Sequence, residues 1–135
     1  MKRRRPLVIA VLGAAAACGL SHSVTVGVPS SPDATFSCSE RALQDHHFTI
    51  TRSQRETGFI SGERRVAVVG DASGLPDYFT ELAISVYTKD GETQLNVNAT
   101  RSKQESGGPR SSGGVFVSDG DKAVADSVLH ACDKR

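Results

Sequence analysis

Apolar positions alternate with polar ones over much of the chain's middle. Phe48-Thr49-Ile50-Thr51 reads as a strand of period two. Arg55-Glu56-Thr57-Gly58 supplies a turn, and Phe59 to Val69 predicts a second strand that bends at Gly62. Gly70, Gly74 and Pro76 mark 70–77 as a loop. Leu82, Ile84 and Val86 alternate within a third strand, Phe79 to Thr88. Asp90-Gly91 is a strong two-residue hairpin signal. In the strand that follows, Leu95, Val97 and Ala99 take one side and Gln94, Asn96, Asn98 and Thr100 the other, so one sheet face meets water. Ser102 to Gly114 has no residue that could join a core and predicts a mobile segment, after which Val115-Phe116-Val117 is placed to dock on the body.

The spacing changes to that of helices at both ends of this region. Ser37 and Glu40 have the separation of a capping box, and Cys38, Ala42 and His46 then share one face, bordered by Leu43. This helix ends near His46 or His47. Ser118 precedes the last helix, with Asp119 and Asp121 in its first turn, where negative charge is favoured. Val124, Val128 and Cys132 lie on one face, flanked by Ala125 and Leu129. The expectation is a two-layer α+β domain: a four-stranded antiparallel sheet in two hairpins, with the N- and C-terminal helices on one face.

The start of the chain has a different composition. Lys2 to Arg5 are basic, Pro6 to Ala17 are apolar, and Cys18 follows Ala15-Ala16-Ala17. These are the parts of an export signal, and the apolar run is shorter than the roughly 20 residues that span a bilayer. The arrangement resembles a bacterial lipoprotein signal. That resemblance implies cleavage before Cys18 and lipid on its side chain; the alternative is ordinary export with cleavage after an Ala-x-Ala site, such as after Ala17. Residues 1–17 are then a signal peptide, 18–35 a Ser/Gly/Pro-rich tether and 36–135 a single α+β domain. Within the tether only Val24-Thr25-Val26-Gly27-Val28 alternates and could pair as a short edge strand.

Removal of residues 1–17 from the 135 leaves 118, enough for one small domain. The signal takes four of the 16 basic residues, leaving 12 against 15 acidic ones. A net charge of −3 gives no sign of a nucleic-acid binder. With Cys18 lipidated, Cys38 and Cys132 remain as an even pair in an oxidising compartment, and a bridge between them encloses nearly the whole domain. Antiparallel packing of the two helices would bring the start of the first, with Cys38, to the end of the last, with Cys132.

The order Ala42-Leu43, Phe48-Thr49-Ile50, Arg55 to Ile60 and Gly62-Glu63-Arg64 resembles small uncharacterised bacterial lipoproteins, in which a helix leads into a turn–Gly–hydrophobic–Glu/Arg hairpin. The likeness covers Cys38 to about Arg65. It implies an envelope protein and carries over no catalytic residue.

Chemistry is sparse elsewhere. His46 and His47 are adjacent, about 100° apart on a helix, and no His-x-x-x-His or cysteine–histidine spacing points to a metal. There is no Gly-x-Ser-x-Gly elbow, and the Gly107-Gly108 and Gly113-Gly114 segment lacks the ending of a phosphate loop. No catalytic residue, metal ligand or cofactor is expected. Arg52, Arg55, Arg64 and Arg65 form a candidate patch for an anionic partner if the first hairpin gathers them at one end. The plainer reading is solvated strand ends, with Glu56 and Glu63 as local partners.

The expected function is therefore that of a membrane-anchored lipoprotein of the bacterial cell envelope, in the outer membrane if there are two. Its domain would lie in the periplasm or outside the cell, as a non-enzymatic module that binds an envelope protein through a sheet face or edge. The alternative is a small-ligand-binding or weakly enzymatic periplasmic domain.

Overall fold

The structure is a computed structural model, and it describes residues 19–66, 76–105, 107–111 and 115–133. In chain order these form β1 (Ser21–Val28), α1 (Pro32–Asp45), β2 (Thr49–Gln54), β3 (Phe59–Arg65), β4 (Asp77–Lys89), β5 (Glu92–Gln104), β6 (Arg110–Ser111) and α2 (Asp119–Asp133). Every strand pairing is antiparallel, and the spatial order is β1-β5-β4-β3-β2, with β6 also on β5.

The α+β class with an antiparallel sheet and two helices matches the expectation, but the sheet has six strands rather than four. The first extra strand is β1. Residues 18–35 are poor in apolar side chains on average, yet the alternation of Val24, Val26 and Val28 is enough to pair all of Ser21–Val28 with Thr93–Thr100. Residues 21–28 and 32–35, expected in the tether, thus belong to β1 and α1 instead. The second extra strand is β6, which pairs with Lys103 and Gln104. With β5 running on to Gln104, it gives order to much of a segment that composition marks as mobile. Residues 67–75, which hold the end of the expected second strand and most of the following loop, lie outside the described residues.

Helix α1 starts earlier than the Ser37/Glu40 spacing suggests. Ser31 is the N-cap, its hydroxyl accepting from the Ala34 N–H at 3.2 Å, with Pro32 and Asp33 in the first turn. Proline has no N–H to leave unsatisfied there, and the carboxylate faces the positive end of the helix dipole. Ser37 and Glu40 sit mid-helix and turn outward, to Arg55 and Ser53.

The end of α1 is set by the backbone. Phe48 N–H donates to the Leu43 carbonyl and His47 N–H to that of Gln44, both at 2.9 Å, a Schellman closure with His47 at φ 63°. A side chain is strained in that left-handed conformation. His47→Gly is therefore expected to raise stability by about 0.5–1 kcal/mol, less than the full strain because glycine also frees the unfolded chain. Urea unfolding measures it, and an unchanged midpoint would mean that the imidazole contributes an offsetting contact.

Two turns order the sheet. Asp90 and Gly91 close the β4–β5 hairpin at φ 52° and 78°, as the sequence suggests. Gly58, at φ 70°, ends the β2–β3 turn, and a Cβ there would lie 2.0 Å from the Val86 carbonyl oxygen. The irregularity expected at Gly62 falls instead in its partner, as a bulge between Ile50 and Arg52.

One core joins the layers. Phe36 and Leu43 of α1, Val124, Val128 and Leu129 of α2, and Ile60, Leu82, Ile84, Leu95 and Val97 of the sheet are buried together. Their strand positions alternate with half-buried Glu81, Ala83, Ser85, Asn96 and Asn98. Val115 and Val117 are buried as expected, and Phe116 between them is 65% exposed. Cys38 and Cys132 form a disulfide with Cα atoms 5.8 Å apart. Because α1 begins at Pro32, the bridge ties the middle of α1, rather than its start, to the last turn of α2.

Candidate functional site

Among the described residues the sheet is bounded by β2 on one side and by β1, with the two-residue β6, on the other, and β2 and β1 differ. β2 has six residues, an exposed arginine and a bulge, features that keep a strand edge from pairing with another chain. β1 has eight residues in unbroken register, from Ser21 opposite Thr100 to Val28 opposite Thr93. It contains no Asp, Glu, Lys, Arg or Pro. Among the described residues no strand pairs with its outer side. Val24 and Val26 pack on the core from one face, while Ser21, Ser23, Thr25 and Gly27 are exposed on the other.

Helix α2 runs beside this strand and contacts both β1 and β5. The Val117 N–H donates to the Gly19 carbonyl at 2.8 Å, which fixes the approach to α2 at the start of β1. Further on, His22 Nε2 lies 3.2 Å from Asp126 Oδ1. Asp119, Asp126 and Asp133 are seven residues apart, so they share one stripe of α2, and Asp126 in its middle reaches β1 through His22. Lys122 lies 3.5 Å from Asp119, and His130 is 3.6 Å from Asp133. With neutral histidines the stripe carries three negative charges against one positive.

A buried polar cluster joins the sheet to α2, and sequence patterns reveal only part of it. Asp121 is 2% exposed, where its position in the sequence suggests only a first-turn acid. Its Oδ2 accepts from Arg101 Nε at 2.8 Å and from the Ser118 N–H at 2.8 Å, and its Oδ1 accepts from Arg101 Nη2 and from the Thr80 hydroxyl. The Asp121 N–H in turn donates to Ser118 Oγ. This reciprocal cap is legible as Ser-x-x-Asp at 118–121. Arg101 carries no such signal, because only strand pairing sets it beside Thr80. Burial by itself raises the Asp121 pKa, but the bonds from Arg101, Thr80 and Ser118 outweigh it and hold the carboxyl below its ordinary value. With each partner committed, the cluster is a structural tie from the sheet to α2.

The four hairpin arginines are not brought to one end. Arg55 lies at the β2–β3 turn, 2.6 Å from Asp33 and over the Phe36 ring. Arg64 and Arg65 lie at the far end of β3; Arg64 donates to the His46 carbonyl over the Phe48 ring, and Arg65 pairs with Asp77. Arg52 covers the Phe59 ring from the edge strand. A hollow of about 400 Å³ between the α1 N-terminus and the hairpin turns holds Asp33, Phe36, Arg55 and Tyr87, but its arginine is already paired. Among the described residues no three His, Cys, Asp or Glu side chains are grouped to hold a metal ion, and no helix is long and apolar enough to cross a membrane. Cys18 and residues 1–17 lie outside the described residues.

Comparison with known proteins gives likenesses of shape only. No family model matches the chain, and no curated protein matches it. Among solved structures, a DUF4468 family protein from Bacteroides ovatus is 17% identical, over 85% of this chain and 88% of that one, with a TM-score of 0.47. TTHA0849 from Thermus thermophilus is 9% identical, over 84% and 94%, with a TM-score of 0.41. Ara h 8.0201 is 11% identical, over 84% and 94%, at 0.37. These values are too low to carry an argument about what the chain does.

Proposed function

We propose that this protein is a lipid-anchored component of the bacterial cell envelope, held to the membrane through Cys18, whose domain works as a non-enzymatic module that binds another envelope protein. The observation that carries the reading is the contrast between the outer strands β1 and β2. An undefended, regular, eight-residue edge is a template for main-chain pairing, and strand addition is a common way for a domain to take up an extended segment. In this reading both helices cover the same sheet face. The other face stays in water, and β1 is left open at the side. Its position three residues after Cys18 keeps the edge near the bilayer, where an envelope partner would be met.

Two measurements test the parts separately. Mass spectrometry of the mature N-terminus is expected to find a diacylglyceryl-modified Cys18; an unmodified N-terminus at another residue would remove the anchor. A photo-crosslinking side chain at Thr25 of β1 is expected to capture one protein in the native envelope, with the adduct mapping to a single extended segment. The same group at Thr51 of β2 should capture none. Equal, scattered adducts from both positions would sink the module reading.

A further inference from the structure

We infer that β1 and the acidic side of α2 form one docking site, and that its occupant is an extended segment carrying Lys or Arg at alternate positions. This rests on the proposed binding function and specifies the chemistry of the partner. The backbone edge of β1 would supply the pairing, which is indifferent to sequence. Selectivity would come from the face that the added strand presents to α2. In an added strand, alternate side chains point to the helix side, in line with His22, Val24, Val26 and Val28. There they meet the stripe of Asp119, Asp126 and Asp133, whose members are about 10 Å apart along the helix, within the span of long basic side chains. The apolar stems of Lys or Arg would lie against the half-buried Val24 and Val26, with the charged heads reaching the carboxylates. On the other face Ser21, Ser23 and Thr25 ask only for small polar neighbours.

The same charges argue against a second copy of this chain as the occupant. Antiparallel pairing of β1 with its own copy would set the two α2 helices side by side about a two-fold axis. Asp126, in the middle of each helix and turned to the edge through His22, would face its like. A basic strand converts that repulsion into attraction.

The probe is a nine-residue peptide of alternating Lys and Thr with blocked ends, titrated into the full-length chain in zwitterionic detergent and read by fluorescence anisotropy and amide hydrogen exchange. Binding is expected to slow exchange in 21–28 and not in 49–54. Affinity should fall at least ten-fold when the peptide's central nitrogens are methylated, which removes donors and keeps charge. It should also fall about ten-fold in the D119N/D126N/D133N variant, whose fold is checked by its unfolding midpoint. Equal binding of the methylated peptide, equal binding by the variant, or slowed exchange elsewhere would each overturn the assignment. So would β1 amides already protected in a dimer of the free protein. A Thr25 crosslink to a neutral or acidic segment would also overturn it, while leaving the binding function in place.

Discussion

Replacing Cys132 with Ser is expected to lower stability by about 4–5 kcal/mol, the figure that the chain-entropy model assigns to a closed loop of this size. The bridge joins residues 94 apart, so it restrains most of the unfolded domain. The two single variants should differ chemically. In C38S the surviving Cys132 is 1% exposed, so it should react with maleimide only after unfolding. In C132S the surviving Cys38 is half-buried and should react slowly in the folded state. C132S should also be the less stable of the two, because it leaves a hydroxyl in the core. Urea unfolding with and without reductant, beside non-reducing peptide mapping, checks this. Free thiols at both positions in protein taken from cells, or an unchanged midpoint on reduction, would refute the bridge.

Asp121→Ala should cost about 3–5 kcal/mol, because it strands the Arg101 guanidinium and the Thr80 hydroxyl against the sheet. The double replacement R101M/D121L should recover much of that loss, since an apolar pair of similar volume needs no counter-charge. If the double variant were as unstable as the single one, packing rather than charge would be at work. The pH dependence follows from the depressed Asp121 pKa. The unfolded carboxyl, with its ordinary value of 3.8, takes up a proton first as pH falls. Asp121 therefore stabilises the fold fully above that value, and the contribution is lost as pH drops through the lower folded value. The wild-type protein should lose stability on acidification below about pH 5, and R101M/D121L should lose less over the same range. Parallel curves for the two proteins would show that other carboxylates set the acid limit.

Features written in neighbouring residues were legible. The Asp90-Gly91 hairpin, the alternation around Leu82 to Val86 and Leu95 to Ala99, and the apolar face of α2 each need only a few consecutive positions. The start of α1 was misplaced: the Ser37/Glu40 spacing suggested a later start, whereas Ser31 caps the helix and Pro32 occupies its first turn, where the missing N–H costs nothing. His47 gave no sign of its left-handed backbone, since glycine is the usual residue there.

By itself the sequence determined the α+β class, the pairing partners Cys38 and Cys132, the principal hairpin and the core-facing sides of β4 and β5. Periodicity, turn chemistry and cysteine parity are local or countable properties. The tertiary structure alone decided that Ser21–Val28 joins the sheet, because a strand with only three inward valines is held by its partner β5 and not by its own propensity. It alone set Arg101 and Thr80 against Asp121, and Asp126 against His22, across separations of 20, 41 and 104 residues. Contacts at that distance follow from strand register and helix placement, and these are also what bring the open edge and the acidic stripe together.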